Sequence, residues 1–139
     1  MRIAILGTGG WGTALAVIWA QRGNEVTLWG HTTERVHEIA RTRTNPEYLP
    51  GVELPAGITL TSDLSDCSST ESIAFVTPSV ARCDVAARLS PGLNNNAAAC
   101  LSGTKGIEHG TGPRMRALTA GPFPATPVAP ARINSAIGE

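Results

Sequence analysis

The sequence has little of what marks several common protein classes. Its only lysine is Lys105, and 11 basic side chains are matched by 11 acidic ones, for a formal net charge of zero. Without a basic stripe, nucleic acid is not expected as a partner, because phosphate neutralisation supplies most of that affinity. No apolar run approaches the ~20 residues that span a bilayer. The apolar stretch before Gly7 is too short for a secretory signal. A cytoplasmic chain with no membrane insertion is therefore expected. Cys67, Cys83 and Cys100 are widely spaced and form no C-x-x-C pair. They read as small apolar fillers in a reducing compartment, and no metal site is expected.

At 139 residues the chain fits one domain with a real core. It is organised around residues 1–22. Residues 3–6 (IAIL) read as a buried strand. From Trp11 onward the spacing turns helical, with Leu15, Ile18 and Trp19 at i, i+3 and i+4. Between strand and helix stand Gly7, Gly9 and Gly12, in the order G-x-G-x-x-G. Each has a separate task in a dinucleotide site. Gly7 allows the tight turn, Gly9 lets a pyrophosphate approach the backbone, and Gly12 lets the helix pack close to the strand. The helix start offers unpaired N–H groups and the positive end of its dipole to phosphates. Gly23 and Asn24 close the helix, and residues 25–29 (EVTLW) give a second strand. The result is a βαβ unit of about 30 residues.

An NAD site usually carries an acidic residue about 20 positions past the fingerprint, on the ribose 2′-hydroxyl. Here that place falls on Trp29, Gly30 or His31, and none is acidic. His31, with Arg35 one turn on, can instead accommodate a 2′-phosphate. This leans towards NADP, or towards tolerance of NADP and NAD alike. Thr32 or Thr33 is placed to cap a helix over residues 34–43, with Val36, Ile39 and Ala40 inward. Residues 45–55 (NPEYLPGVELP) hold three prolines and are expected to be an ordered loop or irregular link. Further strands are predicted at 58–61, 73–76 and 97–101. A weak helix is predicted after residue 62, and a firmer one over 80–89 with Val85 and Leu89 inward. This alternation predicts an α/β, Rossmann-like, doubly wound parallel sheet, incomplete, with an irregular C-terminal tail. Ligands of such sheets bind beyond the carboxyl ends of the strands, where residues 7–12, 77–79 and 104–106 fall. Lys105 is thereby placed on the cofactor side, as a fixed charge for phosphate.

With these segments in view, the sequence resembles the bacterial NAD(P)-dependent glycerol-3-phosphate dehydrogenases. The resemblance is carried by IAILGTGGWGTALA (3–16), EVTLWGH (25–31), NPEYLPGVELP (45–55) and TKGIEHGTG (104–112). It covers roughly residues 1–112, which would form the NAD(P)-binding domain, with residues 113–139 as a Pro/Ala-rich tail. The resemblance implies reduction of dihydroxyacetone phosphate to sn-glycerol 3-phosphate, a phospholipid precursor, with NADP or NAD as cofactor. It also implies a homodimer in the full-length family. Gly10, Trp11, His31, Tyr48 and Lys105 match positions that line the dinucleotide, and Lys105 matches one that also reaches substrate. Gly10 stands where a serine is usual; it keeps the backbone N–H and lacks the hydroxyl donor.

The chain also departs from that family. The family continues into a helical domain that carries the catalytic lysine and most of the substrate phosphate site. Since Lys105 is the only lysine here, these residues are expected to hold no catalytic residue and to be inactive alone. The family's Gly-Pro-Ser/Thr-Phe turn is expected near Ile133, where RINSAIGE stands instead. Five prolines follow residue 112, and residues 119–132 show no sustained period. A shifted reading frame or a natural short form are the two accounts of that change. A stand-alone dinucleotide-binding module without catalysis is the alternative function. A dehydrogenase for another ketone or hydroxy acid is a third, against which the TKGIE stretch argues.

Overall fold

The first strand, β1 (Arg2–Leu6), explains why the sheet is covered on both faces. Ile3 and Ile5 belong to one apolar cluster, Ala4 and Leu6 to another, and all four are buried. Side chains alternate across a strand, so a continuous apolar run requires a layer on each side. The computed structural model describes residues 1–77, 79–89, 99–102 and 128–130. One layer consists of α1 (Gly10–Gln21) and α2 (Thr33–Thr42), whose Ala16, Val17 and Ile39 pack with Ile3, Ile5 and Val26. The other consists of a 3-10 turn (Leu64–Cys67) and α3 (Ser79–Leu89). There Leu64, Cys67, Val85, Ala86 and Leu89 pack with Leu6, Trp29 and Phe75.

The remaining strands of the main sheet are β2 (Glu25–Trp29), β5 (Ile58–Thr61), β6 (Ser72–Phe75), β7 (Ala99–Ser102) and β8 (Val128–Pro130). All six pair in parallel, in the order β5-β2-β1-β6-β7-β8. The chain order reverses at β1, which pairs Ile3 with Val26 on one side and with Ser72 on the other. That junction is the switch point where doubly wound sheets bind their ligands.

The structure differs from the sequence expectation in two places, and it also shows which face α1 buries. Residues 45–55, expected to be an ordered loop or irregular link, are ordered and carry strand pairing: β3 (Thr44–Asn45) and β4 (Leu49–Glu53) form a separate antiparallel ribbon. Pro50 is tolerated because it lies between the paired residues Leu49 and Glu53 of a two-stranded ribbon, where both strands are edges. The inward face of α1 is Gly12, Thr13, Ala16 and Val17, while Ile18 is 45% exposed and Leu15 and Trp19 pack only at the margin. Small residues let this helix approach the strand, and that proximity outweighs the pull of larger side chains. Finally, β8 pairs with β7 as a sixth strand of the sheet where five are predicted. Three residues suffice because β7 supplies the pairing, and Pro130 suits a sheet edge.

Cys67 illustrates the cost of burial. It is fully buried, and desolvation, followed by the nearby Asp66 and Asp63 carboxylates, pushes its thiol up from 9.0 to about 12. Folding therefore favours the neutral thiol. The resulting stability is fully present below pH 9.0 and is lost as pH rises towards about 12. The expected result is a urea midpoint insensitive to this group at neutral pH and a decline above about pH 9 that Cys67→Ala removes. A decline of equal size in the variant would show that other groups cause it.

Candidate functional site

Three glycines build the switch point, and each meets different surroundings. Gly7 has φ +134°, and its N–H donates to the Trp29 carbonyl at 2.9 Å. A β-carbon there would lie 2.8 Å from the Val76 carbonyl oxygen and 3.2 Å from the Thr77 nitrogen. The turn thus sits wedged between the ends of β2 and β6. A β-carbon on Gly12 would lie 2.0 Å from the Gly7 carbonyl oxygen, so the helix touches the loop backbone directly. Gly9 is the opposite case: a β-carbon there would meet nothing within 4 Å. Gly9 is also the N-cap of α1, without a side-chain cap and with no acidic residue in the first turn. Uncapped N–H groups and a positive dipole end beside open space fit an anion such as a pyrophosphate.

The turn is held by Asn45, the first residue of the proline-containing segment 45–55. Asn45 is 1% exposed. Its Nδ2 donates to the Thr8 carbonyl at 2.9 Å and to Thr13 Oγ1 at 2.8 Å. Thr13 Oγ1 in turn donates to the Gly9 carbonyl at 2.8 Å. The β3–β4 ribbon is thereby fastened to both flanks of the glycine turn. The signal for Asn45 was present in NPEYLPGVELP, but its partners lie 37 and 32 positions away. The ribbon also brings Tyr48 against the helix start, where a β-carbon on Gly10 would lie 2.8 Å from the Tyr48 carbonyl oxygen. A serine at position 10 would require that loop to withdraw, so Gly10 and the close ribbon go together.

The end of β2 is crowded. Trp29 is buried in the core with its Nε1 donating to the Ser62 carbonyl at 3.1 Å. A β-carbon on Gly30 would lie 2.8 Å from both Thr8 Cγ2 and Val36 Cγ2. Neither position can present a side chain outward, which leaves the exposed His31 as the first residue of that loop able to do so. Arg35, in the first turns of α2, forms an ion pair with Glu47, and the Tyr48 ring stacks 4.4 Å from its Cζ. Trp11 and Tyr48 are each 47% exposed. The structure thus brings Gly7, Gly9, Gly10, Gly12 and Tyr48 together, with Trp11 at the helix start and His31 beyond β2. Thr77 is buried beside Gly7, and Lys105 lies outside the described residues. Among the described residues no three His, Cys, Asp or Glu side chains could hold a metal ion. No described helix is long and apolar enough to cross a membrane.

Comparison with known proteins bears on this geometry. The family profile described as NAD-dependent glycerol-3-phosphate dehydrogenase N-terminus matches residues 2–129. The chain is 41% identical over 125 residues to a glycerol-3-phosphate dehydrogenase [NAD(P)+] of Geobacillus kaustophilus, covering 85% of this chain and 34% of that protein. It is 42% identical over 112 residues to one of Xanthomonas campestris, covering 80% of this chain and 33% of that protein. Among solved structures, glycerol-3-phosphate dehydrogenase from Coxiella burnetii superposes with a TM-score of 0.85 at 33% identity, covering 93% of this chain and 39% of that one. A ketopantoate reductase family protein of Ralstonia eutropha, at 23% identity and a TM-score of 0.73, shares the fold. The chain spans about a third of the length of the curated relatives it matches. With the profile matching most of its length, the chain belongs to the family of NAD-dependent glycerol-3-phosphate dehydrogenase N-terminal domains.

Proposed function

We propose that this chain is the dinucleotide-binding part of an enzyme that reduces dihydroxyacetone phosphate to sn-glycerol 3-phosphate with NADPH or NADH. The observation that carries the reading is the open, uncapped helix start at Gly9, set at the switch point of a doubly wound sheet. In this reading the backbone N–H groups around Gly9, Gly10 and Trp11 hold the pyrophosphate, and Gly7 and Gly12 keep the turn tight. His31, Arg35 and Tyr48 face the adenosine ribose. Lys105 contributes a positive charge that binds phosphate and polarises the substrate carbonyl. The nicotinamide, when bound, supplies the hydride. The family membership supports the substrate, because the matched relatives bear the name of that activity.

Titration with NADPH and NADH, followed by tryptophan fluorescence, tests the reading. Trp11 stands at the helix start, so a saturable quench is expected from the parent chain. Gly9→Asp should weaken binding by about 100-fold, or roughly 3 kcal/mol, because the carboxylate fills the open space and repels phosphate. Circular dichroism should remain that of the parent, since a side chain at Gly9 meets no protein atom. Unchanged affinity in a folded Gly9→Asp variant would remove the site. A binding module without turnover is the second reading, favoured by a site built from backbone N–H groups around Gly9. Loss of NADPH absorbance on adding dihydroxyacetone phosphate to the chain would exclude it.

A further inference from the structure

Positions 29–31 at the end of β2 hold no acidic residue, yet the structure brings a carboxylate to that end of the site from the β3–β4 ribbon. Glu47 lies on the turn between β3 and β4, and its carboxylate pairs with the Arg35 guanidinium. Three contacts fix where this pair sits. The neighbouring Tyr48 carbonyl rests on Gly10 at the helix start, while the Tyr48 ring stacks on Arg35. On the other side, Val36, next to Arg35, packs against Gly30 at the end of β2. The Arg35–Glu47 pair therefore spans the gap between the phosphate turn and the loop after β2, where a dinucleotide's adenosine ribose lies in this fold. Arg35 is only 25% exposed at its side chain, held between an aromatic face and a carboxylate, whereas Glu47 is 65% exposed.

We propose that Glu47 is a specificity-determining residue that supplies, from the ribbon, the carboxylate missing from positions 29–31. It accepts the ribose 2′-hydroxyl of NAD(H) and neutralises Arg35, the cation that would otherwise receive the 2′-phosphate of NADP(H). The proposal rests on the reading of the glycine turn as a dinucleotide site. A carboxylate and a phosphate compete for one guanidinium because both match its planar donor fork. Removing the carboxylate frees the Arg35 guanidinium to receive the phosphate. Glu47 is exposed and, among the described residues, its carboxylate pairs with Arg35, so its replacement leaves the core untouched.

The test is the ratio of NADPH to NADH affinity in the parent chain, in Glu47→Gln, and in Glu47→Gln/Arg35→Met. Glu47→Gln should bind NADPH about three- to fivefold more tightly, the range of a partly exposed ion pair, and NADH equally or less tightly. In the double variant the NADPH gain should vanish. An unchanged ratio in Glu47→Gln, with both dinucleotides still binding, overturns the proposal and leaves the site standing. A gain that persists without Arg35 overturns it too. Failure of the parent chain to bind either dinucleotide overturns the site reading and this proposal with it.

Discussion

Gly12→Ala should destabilise the fold by about 3 kcal/mol, an unusually large loss for one added methyl group. The new β-carbon would lie 2.0 Å from the Gly7 carbonyl oxygen and 3.1 Å from its carbon. Both atoms are backbone, so no side chain can swing away. Gly7 cannot retreat, since it is already in contact with Val76 and Thr77 on its other side. The helix must move off the sheet and lose its close packing on Ile5 and its neighbours. Two other glycines separate the causes. Gly23, with φ +86° and open surroundings, carries backbone strain without a clash. Gly23→Ala should cost about 1 kcal/mol. Gly9 has neither strain nor clash, and Gly9→Ala should cost less than about 1 kcal/mol as a change of helix cap. Urea midpoints at constant slope would rank the three variants Gly12, Gly23, Gly9. Equal losses at Gly12 and Gly23 would mean that the close helix–strand contact is not what holds this unit.

What the sequence made legible follows from the range of the interactions involved. The strands β1 and β2, the glycine turn and α2 depend on neighbours within a few residues, and short β-rich runs or helical spacing revealed them, although Ala40, expected inward on α2, is exposed. Val85 and Leu89 likewise lie buried on α3, as their spacing predicts. The buried face of α1 is not legible in its helical spacing, because Leu15, Ile18 and Trp19 are larger than Gly12, Thr13, Ala16 and Val17. Size suggests burial, but the helix is placed by what may touch the Gly7 backbone. The β3–β4 ribbon was hidden by its prolines, and β8 by a pairing with β7 that no three-residue pattern announces. The site divides in the same way. The fingerprint glycines could be read directly, whereas Asn45 and Glu47 act on residues of earlier elements that only folding brings near.

Asn45 is where that hidden part of the site should show its largest effect. Its amide is buried and donates two hydrogen bonds, to the Thr8 carbonyl and to Thr13 Oγ1. Asn45→Ala leaves the buried Thr8 carbonyl without its main donor and should cost about 2 kcal/mol. Asn45→Asp nearly conserves the shape but places a buried carboxylate against a carbonyl oxygen. An unpaired buried charge of this kind should cost about 3–5 kcal/mol at neutral pH. Desolvation and the facing carbonyl both favour the neutral acid, so the folded-state pKa of this aspartate rises above its unfolded value of about 3.9. Folding then binds a proton, and the Asn45→Asp penalty shrinks as pH falls from about 7 towards 4. The protonated acid has one O–H to donate, so recovery is partial and halts near the Asn45→Ala level. Urea unfolding of both variants at about pH 7 and pH 5 checks this. A pH-independent Asn45→Asp penalty would mean that water reaches the carboxylate and that the ribbon is not sealed onto the turn. If the seal holds, both variants should also lose dinucleotide affinity while still folded. The same two bonds that stabilise the chain fix the Thr8–Thr13 segment, and a phosphate can bind tightly only where those N–H groups are already aimed.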